Sequence, residues 1–458
     1  MVRNANYCSI IERPDLQGPL SMISERDSVL HSWCVQSQWQ APTIVGGRGA
    51  HFWDADGHDY LDMSSLSECS NLGHQHPSVV RAIREQTERL CFVTSAWGTQ
   101  PRADLAQALL EKAGFNHGRV FFTVAGADAN EHAVKFARQA RGLPDGWIIT
   151  RDRSYHGTTY ACMAFSGDAR TSHQVDPERY NAARVAAPYA YRCPFGSSSE
   201  TECGERAVAA VADEIDRKGP DSVAAVLMEP NAGTNGIVAP DNYWPGLREV
   251  TKSRGVFLIA DEVMSGFGRC GEWFAWQRYG DSGKPDVMTL AKGLTGAHVP
   301  LGAVVVNENV AQHLETQMLF TGLTYCGHPL ACAAGLAAVR AYEDEKLIER
   351  SRELGAAMFL ELKRLQQQHR LIGDVRGGHG LFAIVELVSD RTSRAPLAPW
   401  PETPPQLTAL VQKARARGVS FAARGNLIIL APPLVIEERE LTDALSLLDR
   451  LLTEMEST

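Results

Sequence analysis

The sequence predicts an α/β protein built on a mostly parallel sheet with helices on both faces. Three observations lead there. Short Val/Ile/Leu runs alternate with helical stretches from about residue 77 to 335. The runs are continuously apolar, as strands buried on both faces must be. A chain of 458 residues, 44% hydrophobic and 22% charged, is long enough for a large core and a second, smaller one.

Taken in order, residues 43–63 read as short strands around turns, with Asp56-Gly57 as a hairpin turn. "PSVVRAIREQTERL" follows with Val79, Val80, Ile83 and Leu90 at helical spacing. Then "RVFFTVAG" leads into the helix "ADANEHAVKFARQAR", "GWIITRDR" into a loop, and "VAAVLMEP", "GVFLIADEV", "DVMTLAKG" and "GAVVVN" supply further strands. After about 336 a long amphipathic helix (Leu347, Ile348, Leu354, Met358, Leu362, Leu365) precedes "LFAIVELV". A helix near 405–416, strands at 419–423 and 427–430, and the closing helix "EERELTDALSLLDRLL" complete a smaller lobe. The expected division is residues 1–75 as an N-terminal segment of the small lobe, 76–335 as the large domain, and 336–458 as the C-terminal small domain. The Pro-rich stretch 394–405 is expected to be a mobile insertion in that lobe.

A formal charge of −9 argues against a general nucleic-acid or anionic-membrane surface and leaves a small-molecule partner. No stretch approaches a spanning helix, and the first twenty residues lack the apolar core of a signal peptide. Ten cysteines, at 8, 34, 69, 91, 162, 193, 203, 270, 326 and 332, form no C-x-x-C pair and suit free thiols in a reducing cytoplasm. His74 and His76 in "GHQHP" have no third ligand nearby, and "WDADGHDYLD" lacks the later acids of a calcium loop, so no metal is expected.

In open α/β sheets ligands sit beyond the carboxyl ends of the strands, so the residues following each strand carry the chemistry. "RVFFTV" is followed by Ala125, Gly126, Ala127 and Asp128, small residues opening a helix whose N–H groups suit a phosphate; taken alone, a close-packed strand-to-helix turn is the better explanation of them. Tyr155 and His156 offer rings to a planar ligand. Asp261 ends an apolar strand and needs a partner, unless it only caps the next turn. Lys292 stands in "MTLAKGLTGAHVPLG" at another strand end, where a buried ammonium is relieved by a lowered pKa or a covalent bond, and a strand-end lysine reaching water is the plain alternative. Phosphate cradle, stacking ring, acid and lysine together fit pyridoxal 5'-phosphate (PLP), which needs an acid at its ring nitrogen and a lysine for its aldehyde.

These motifs in this order resemble the class III, fold type I (omega-type) PLP-dependent aminotransferases over nearly the whole chain. The matching stretches include "FFTVAGADANEHAVKFAR", "LIADEVMSGFGRCGEWFA", "PDVMTLAKGLTGAHVPLGAVVV" and "GLTYCGHPLACAAGLAAV". Within the class the chain is most similar to the branch of taurine– and hypotaurine–pyruvate aminotransferases. The resemblance implies a large domain with a mostly parallel seven-stranded sheet. It implies Lys292 as the Schiff-base lysine, Asp261 at the pyridine nitrogen, and Gly126 and Ala127 at the phosphate. Tyr155 and His156 would lie at the ring, Val263 on its opposite face, and Glu229 behind them. Thr324 would reach the neighbouring subunit's site in a homodimer.

Arg424, Trp97 and Leu66 are the substrate-binding candidates, the last two in the loops "SAWGTQ" and "SSLSECSN". Arg424 would hold the carboxylate of the acceptor. Gly425 stands where this branch often has an aromatic and leaves that space open. The implied activity moves an amino group from a primary amine or amino acid to a keto acid such as pyruvate, or to an aldehyde or ketone, by a ping-pong mechanism through pyridoxamine phosphate. Another PLP chemistry on the same scaffold, an aminomutase, racemase or decarboxylase, would use the same motifs. A nicotinamide-dependent oxidoreductase would need a G-x-G-x-x-G turn after the first strand of a βαβ unit, where this chain has "VAGADA".

Overall fold

The structure is a computed structural model that describes residues 25–457; the N-terminal stretch containing Cys8 lies outside the described residues. The chain divides into two compact units at Ile44 and Val45. In the first are two short 3-10 turns, Glu25–Asp27 and Gln36–Gln38, and the rings of His31 and Trp39 stack across the second. The second carries everything that follows.

Its centre is a seven-stranded sheet in the order Arg119–Thr123, Gly302–Val306, Val287–Leu290, Phe257–Asp261, Val223–Met228, Trp147–Arg151, Ala182–Val185. Gly302–Val306 runs antiparallel to both neighbours, and the other pairings are parallel. The apolar runs are continuous because both faces are covered. Val226, Met228, Leu258 and Ala260 enter one core with Leu105, Val211 and Leu247 from helices Gln100–Ala113, Glu200–Lys218 and Tyr243–Ser253. Ala225, Leu227, Phe257 and Ile259, one residue out of step, enter the other with Ala133, Phe136 and Ala137 of helix Gly126–Ala140. The period of two along each strand thus divides the apolar residues between two helical layers.

Strand Ala182–Val185 and helices Gln100–Ala113 and Glu200–Lys218 are additions to the sequence reading. The strand is four residues long with an arginine inside it, so it carries little of the Val/Ile signal that marks its neighbours.

A second sheet runs Ile372–Gly377, Ala383–Asp390, Leu427–Leu430, Ala422–Arg424, backed by helices Leu347–Gln368 and Glu438–Glu456. The hairpin His51–Asp54 and Asp59–Asp62 extends through parallel pairing of Leu61 with Val419. Asp54 shapes the hairpin turn: its Oδ1 accepts from the amides of Asp56 and His58, and its Oδ2 accepts from Tyr60 Oη at 2.6 Å. His74 and His76 diverge, to Asp62 and Glu345.

The Pro-rich stretch 394–405 departs from expectation, because it is tied to the sheet rather than mobile. Ala395–Pro396 pairs with the strand Ala383–Asp390, Ala398 and Asn426 exchange two hydrogen bonds, and Thr403 Oγ1 accepts from the Gly425 amide.

Candidate active site

The sheet register brings the site together. Asp261 lies across from Thr289, so the chain reaches Lys292 just beyond the same sheet edge. A cavity of about 220 Å³ opens there, and Gly126, Ala127, Tyr155, His156, Glu229, Asp261, Val263 and Lys292 all line it. A larger cavity, about 660 Å³, lies between helices Pro77–Arg89, Gln100–Ala113 and Pro329–Asp344 and contains neither the acid nor the lysine.

Three donors converge on the buried Asp261 carboxylate. Asn130 Nδ2 reaches Oδ2 at 2.8 Å, His156 Nδ1 lies 2.7 Å from the same oxygen, and the Val263 amide donates to Oδ1 at 3.0 Å. Asn130 is itself fixed, because its Oδ1 accepts from Thr289 Oγ1 at 2.7 Å. One helical turn separates it from Gly126, which places both on the cavity side of their helix. Behind Tyr155, Glu229 accepts from Arg151 Nη2 at 2.9 Å and from the Tyr155 amide at 3.2 Å. Burial nonetheless raises the Glu229 carboxyl above its ordinary pKa.

Helix Gly126–Ala140 begins without a capping side chain, which leaves its first amides turned to the cavity. Gly126 is required by close approach: a Cβ there would stand 3.0 Å from Val263 Cγ1. An uncapped helix start, an acid with three donors, a ring on one wall, Val263 beside the helix start and a lysine at the margin fit PLP in size and chemistry. His156 Nε2, buried and without a partner among the described residues, adds an unspent polar atom at the acid.

Of the two reliefs considered for Lys292, a lowered pKa or a covalent bond, the first is not found. Burial does push the ammonium down, but Glu68, Cys69 and Asp261 outweigh it and the net shift is upward. Glu68 Oε2 lies 3.1 Å from Lys292 Nζ. Arg424, on strand Ala422–Arg424, places Nη2 2.8 and 2.9 Å from the two oxygens of the fully buried Asp168, which Arg170 also contacts. Its Nε and Nη1 have no partner among the described residues. The space beside Gly425 is not open, because Trp400 fills it: a Cβ on Gly425 would meet that ring at 2.5 Å. Trp97, Leu66 and Thr324 are exposed and do not line the cavity.

Asn130, Arg151, Glu68 and Asp168 were not among the sequence candidates. Arg151 could have been found as Asp261 was, as a charge ending an apolar strand, and Asn130 by its spacing from Gly126. Glu68 and Asp168 sit in polar loops that carry no such signal.

The aminotransferase class-III family model matches residues 35–452. The putrescine–pyruvate aminotransferase of Pseudomonas aeruginosa is 34% identical over 90% of each chain. A leucine/methionine racemase of Thermococcus litoralis is 33% identical over 91% of this chain and 92% of its own. Among solved structures, taurine:2-oxoglutarate aminotransferase from Bifidobacterium kashiwanohense, in complex with PLP and glutamate, superposes with a TM-score of 0.89. It is 36% identical, covering 95% of this chain and 97% of that one.

Proposed function

Because the chain belongs to the class-III aminotransferase family, we propose that it transfers the amino group of a primary amine or omega-amino compound to a small keto acid at the cavity between Asp261 and Lys292. PLP supplies the aldehyde that takes up the amino group and the ring that accepts electrons from the reacting carbon. The observation that carries the reading is the convergence of Asn130, His156 and the Val263 amide on Asp261 within the cavity that Lys292 also lines.

Each residue then has a task. Asp261 presents a fixed negative charge to the ring nitrogen, with Asn130 and His156 holding its orientation. The amides of Gly126 and Ala127 take the phosphate, Tyr155 and Val263 flank the ring, and Glu229 fixes the backbone of Tyr155. Lys292 would hold the aldehyde of the cofactor and, with its nitrogen free, would be placed to move the proton at the reacting carbon. Arg424 takes the carboxylate of the acceptor; its approach to Asp168 supports this, since one nitrogen already serves both oxygens of a carboxylate.

The working form in this reading is a homodimer in which Thr324 serves the neighbouring site. The exposed apolar side chains Met318, Phe320 and Tyr325 on the same segment support it, since large apolar side chains left in solvent favour a covering partner. We assign the enzyme to the cytoplasm, in keeping with nine described cysteines that are all free.

The test is a half-reaction. With a single amine donor and no acceptor, the cofactor is expected to pass stoichiometrically to its amine form, with release of the matching carbonyl compound, and Lys292→Ala is expected to slow this by several orders of magnitude while still folding. A racemase would instead invert a chiral amino acid without accumulating the amine form.

A further inference from the structure

The tasks above leave one buried acid at the reacting nitrogen without a role. Glu68 is 6% exposed, and among the described residues it alone hydrogen-bonds Lys292 Nζ. An unusual backbone puts it there. Ser65, Leu66, Ser67 and Glu68 all have positive φ, at 47°, 42°, 73° and 56°. Four successive side-chain-bearing residues in that region persist only where the surroundings dictate them.

The surroundings do so. Fully buried Arg269 donates from Nη2 to Ser65 Oγ at 2.9 Å and to Asn71 Oδ1 at 2.8 Å, and from Nη1 to the Leu381 and Pro432 carbonyls. Ser65 Oγ reaches the Ala431 carbonyl at 2.7 Å, and Asp62 Oδ1 accepts from the Ser64 amide at 3.0 Å. A turn pinned at both ends holds the Glu68 carboxylate at one place beside Lys292.

The other charges around this pair are few. Cys69 and Asp261 act on Lys292, Arg269 and Asp62 act on Cys69 beside it, and Tyr155 faces the lysine from across the cavity. Asp62 is paired with His74, and Asp261 is taken up by Asn130 and His156. Arg269 also faces Glu68, and Glu68 is the acid within hydrogen-bond reach of the lysine nitrogen.

We propose that Glu68 is the counter-ion of the Lys292 nitrogen, favouring its protonated form while that nitrogen is bonded to the cofactor. A nitrogen that stays protonated makes the adjoining carbon more open to attack by the incoming amine. This rests on the reading of Lys292 as the cofactor lysine.

The experiment is a pH titration of the visible absorption of the cofactor-loaded enzyme, with borohydride reduction and peptide mapping to locate the labelled lysine. In Glu68→Gln the absorption midpoint is expected to fall by about one pH unit or more, as for loss of an opposite charge within hydrogen-bond reach. Glu68→Asp, which keeps the charge at a greater distance, should lie between the two. A midpoint unmoved in Glu68→Gln, or in Glu68→Asp should the glutamine variant not fold, overturns the proposal. A label on a lysine other than Lys292 overturns the cofactor assignment itself, which separates the two failures.

Discussion

His156 Nδ1 lies 2.7 Å from Asp261 Oδ2, on the oxygen that Asn130 also reaches, so the acid of the site is held from two directions by side chains of separate elements. The strand supplies the carboxylate, and a helix and a loop fix where it points. Such a carboxylate can act on a ring nitrogen without reorganising, which is where a buried charge is most effective.

Asp261→Asn keeps the size of this side chain and removes its charge. The half-reaction is expected to slow by about 3 kcal/mol or more in barrier, while the fold and melting temperature change little. Stopped-flow measurement of the half-reaction decides it, and an unchanged rate would reduce Asp261 to a cap on the following turn.

A mixed-dimer experiment tests the reach of Thr324. Co-expressed subunits carrying Lys292→Ala and Thr324→Ala would, if Thr324 serves the partner, pair both lesions in one site and leave the other intact. Hybrids isolated by two affinity tags should then show close to half the wild-type activity per dimer. If the threonine serves its own subunit, every site carries one lesion and no intact site appears.

A pH effect on stability follows from His51. Its Nδ1 lies 2.5 Å from Asp59 Oδ1 and its Nε2 3.0 Å from Glu440 Oε1, joining the N-terminal hairpin to the last helix. Glu440 first, and Asp59 with it, raises the imidazole from 6.5 to about 9 against the effect of burial. A folded-state pKa above the unfolded one means the histidine contributes fully below pH 6.5 and loses its contribution as pH rises through about 9. The melting-temperature gap between wild type and His51→Gln should therefore be widest below pH 6.5 and close above pH 9. A gap constant with pH would assign His51 to packing alone.

Asp261 and Lys292 were legible in the sequence because a charged residue ending a buried strand has few uses, and the strands themselves were legible from their composition. Helix Pro405–Ala416 and strand Leu427–Leu430 likewise followed from local pattern. Glu68 was not legible: its place depends on four positive-φ residues that no propensity favours and on Arg269, remote in the chain, pinning them. Nor was the environment of Arg424. The chain shows an absence after it, at Gly425, and only the folded Pro-rich loop reveals that Trp400 fills the gap.

In the function proposed above, Arg424 would be the residue by which the site tells a keto acid from a neutral partner. Its guanidinium contacts Asp168 through Nη2 and lies 5.5 Å from the Trp400 ring, and Nε and Nη1 have no partner among the described residues. Burial works against the charge on Asp168, but Arg170 and Arg424 hold its carboxyl below the ordinary range. Arg170 bonds Asp168 through both Nε and Nη2, so the aspartate keeps a cationic partner if Arg424 turns toward a substrate. That permits one site to accept a carboxylate in one half-reaction and an uncharged chain in the other. Arg424→Lys retains the charge but loses the planar fork, and Arg424→Ala loses both. Each is expected to weaken kcat/KM for pyruvate by about 2–3 kcal/mol while a neutral aldehyde changes much less. Equal losses for the two acceptors would show that Arg424 serves the loop it touches, through Asp168 and Trp400, and not the substrate.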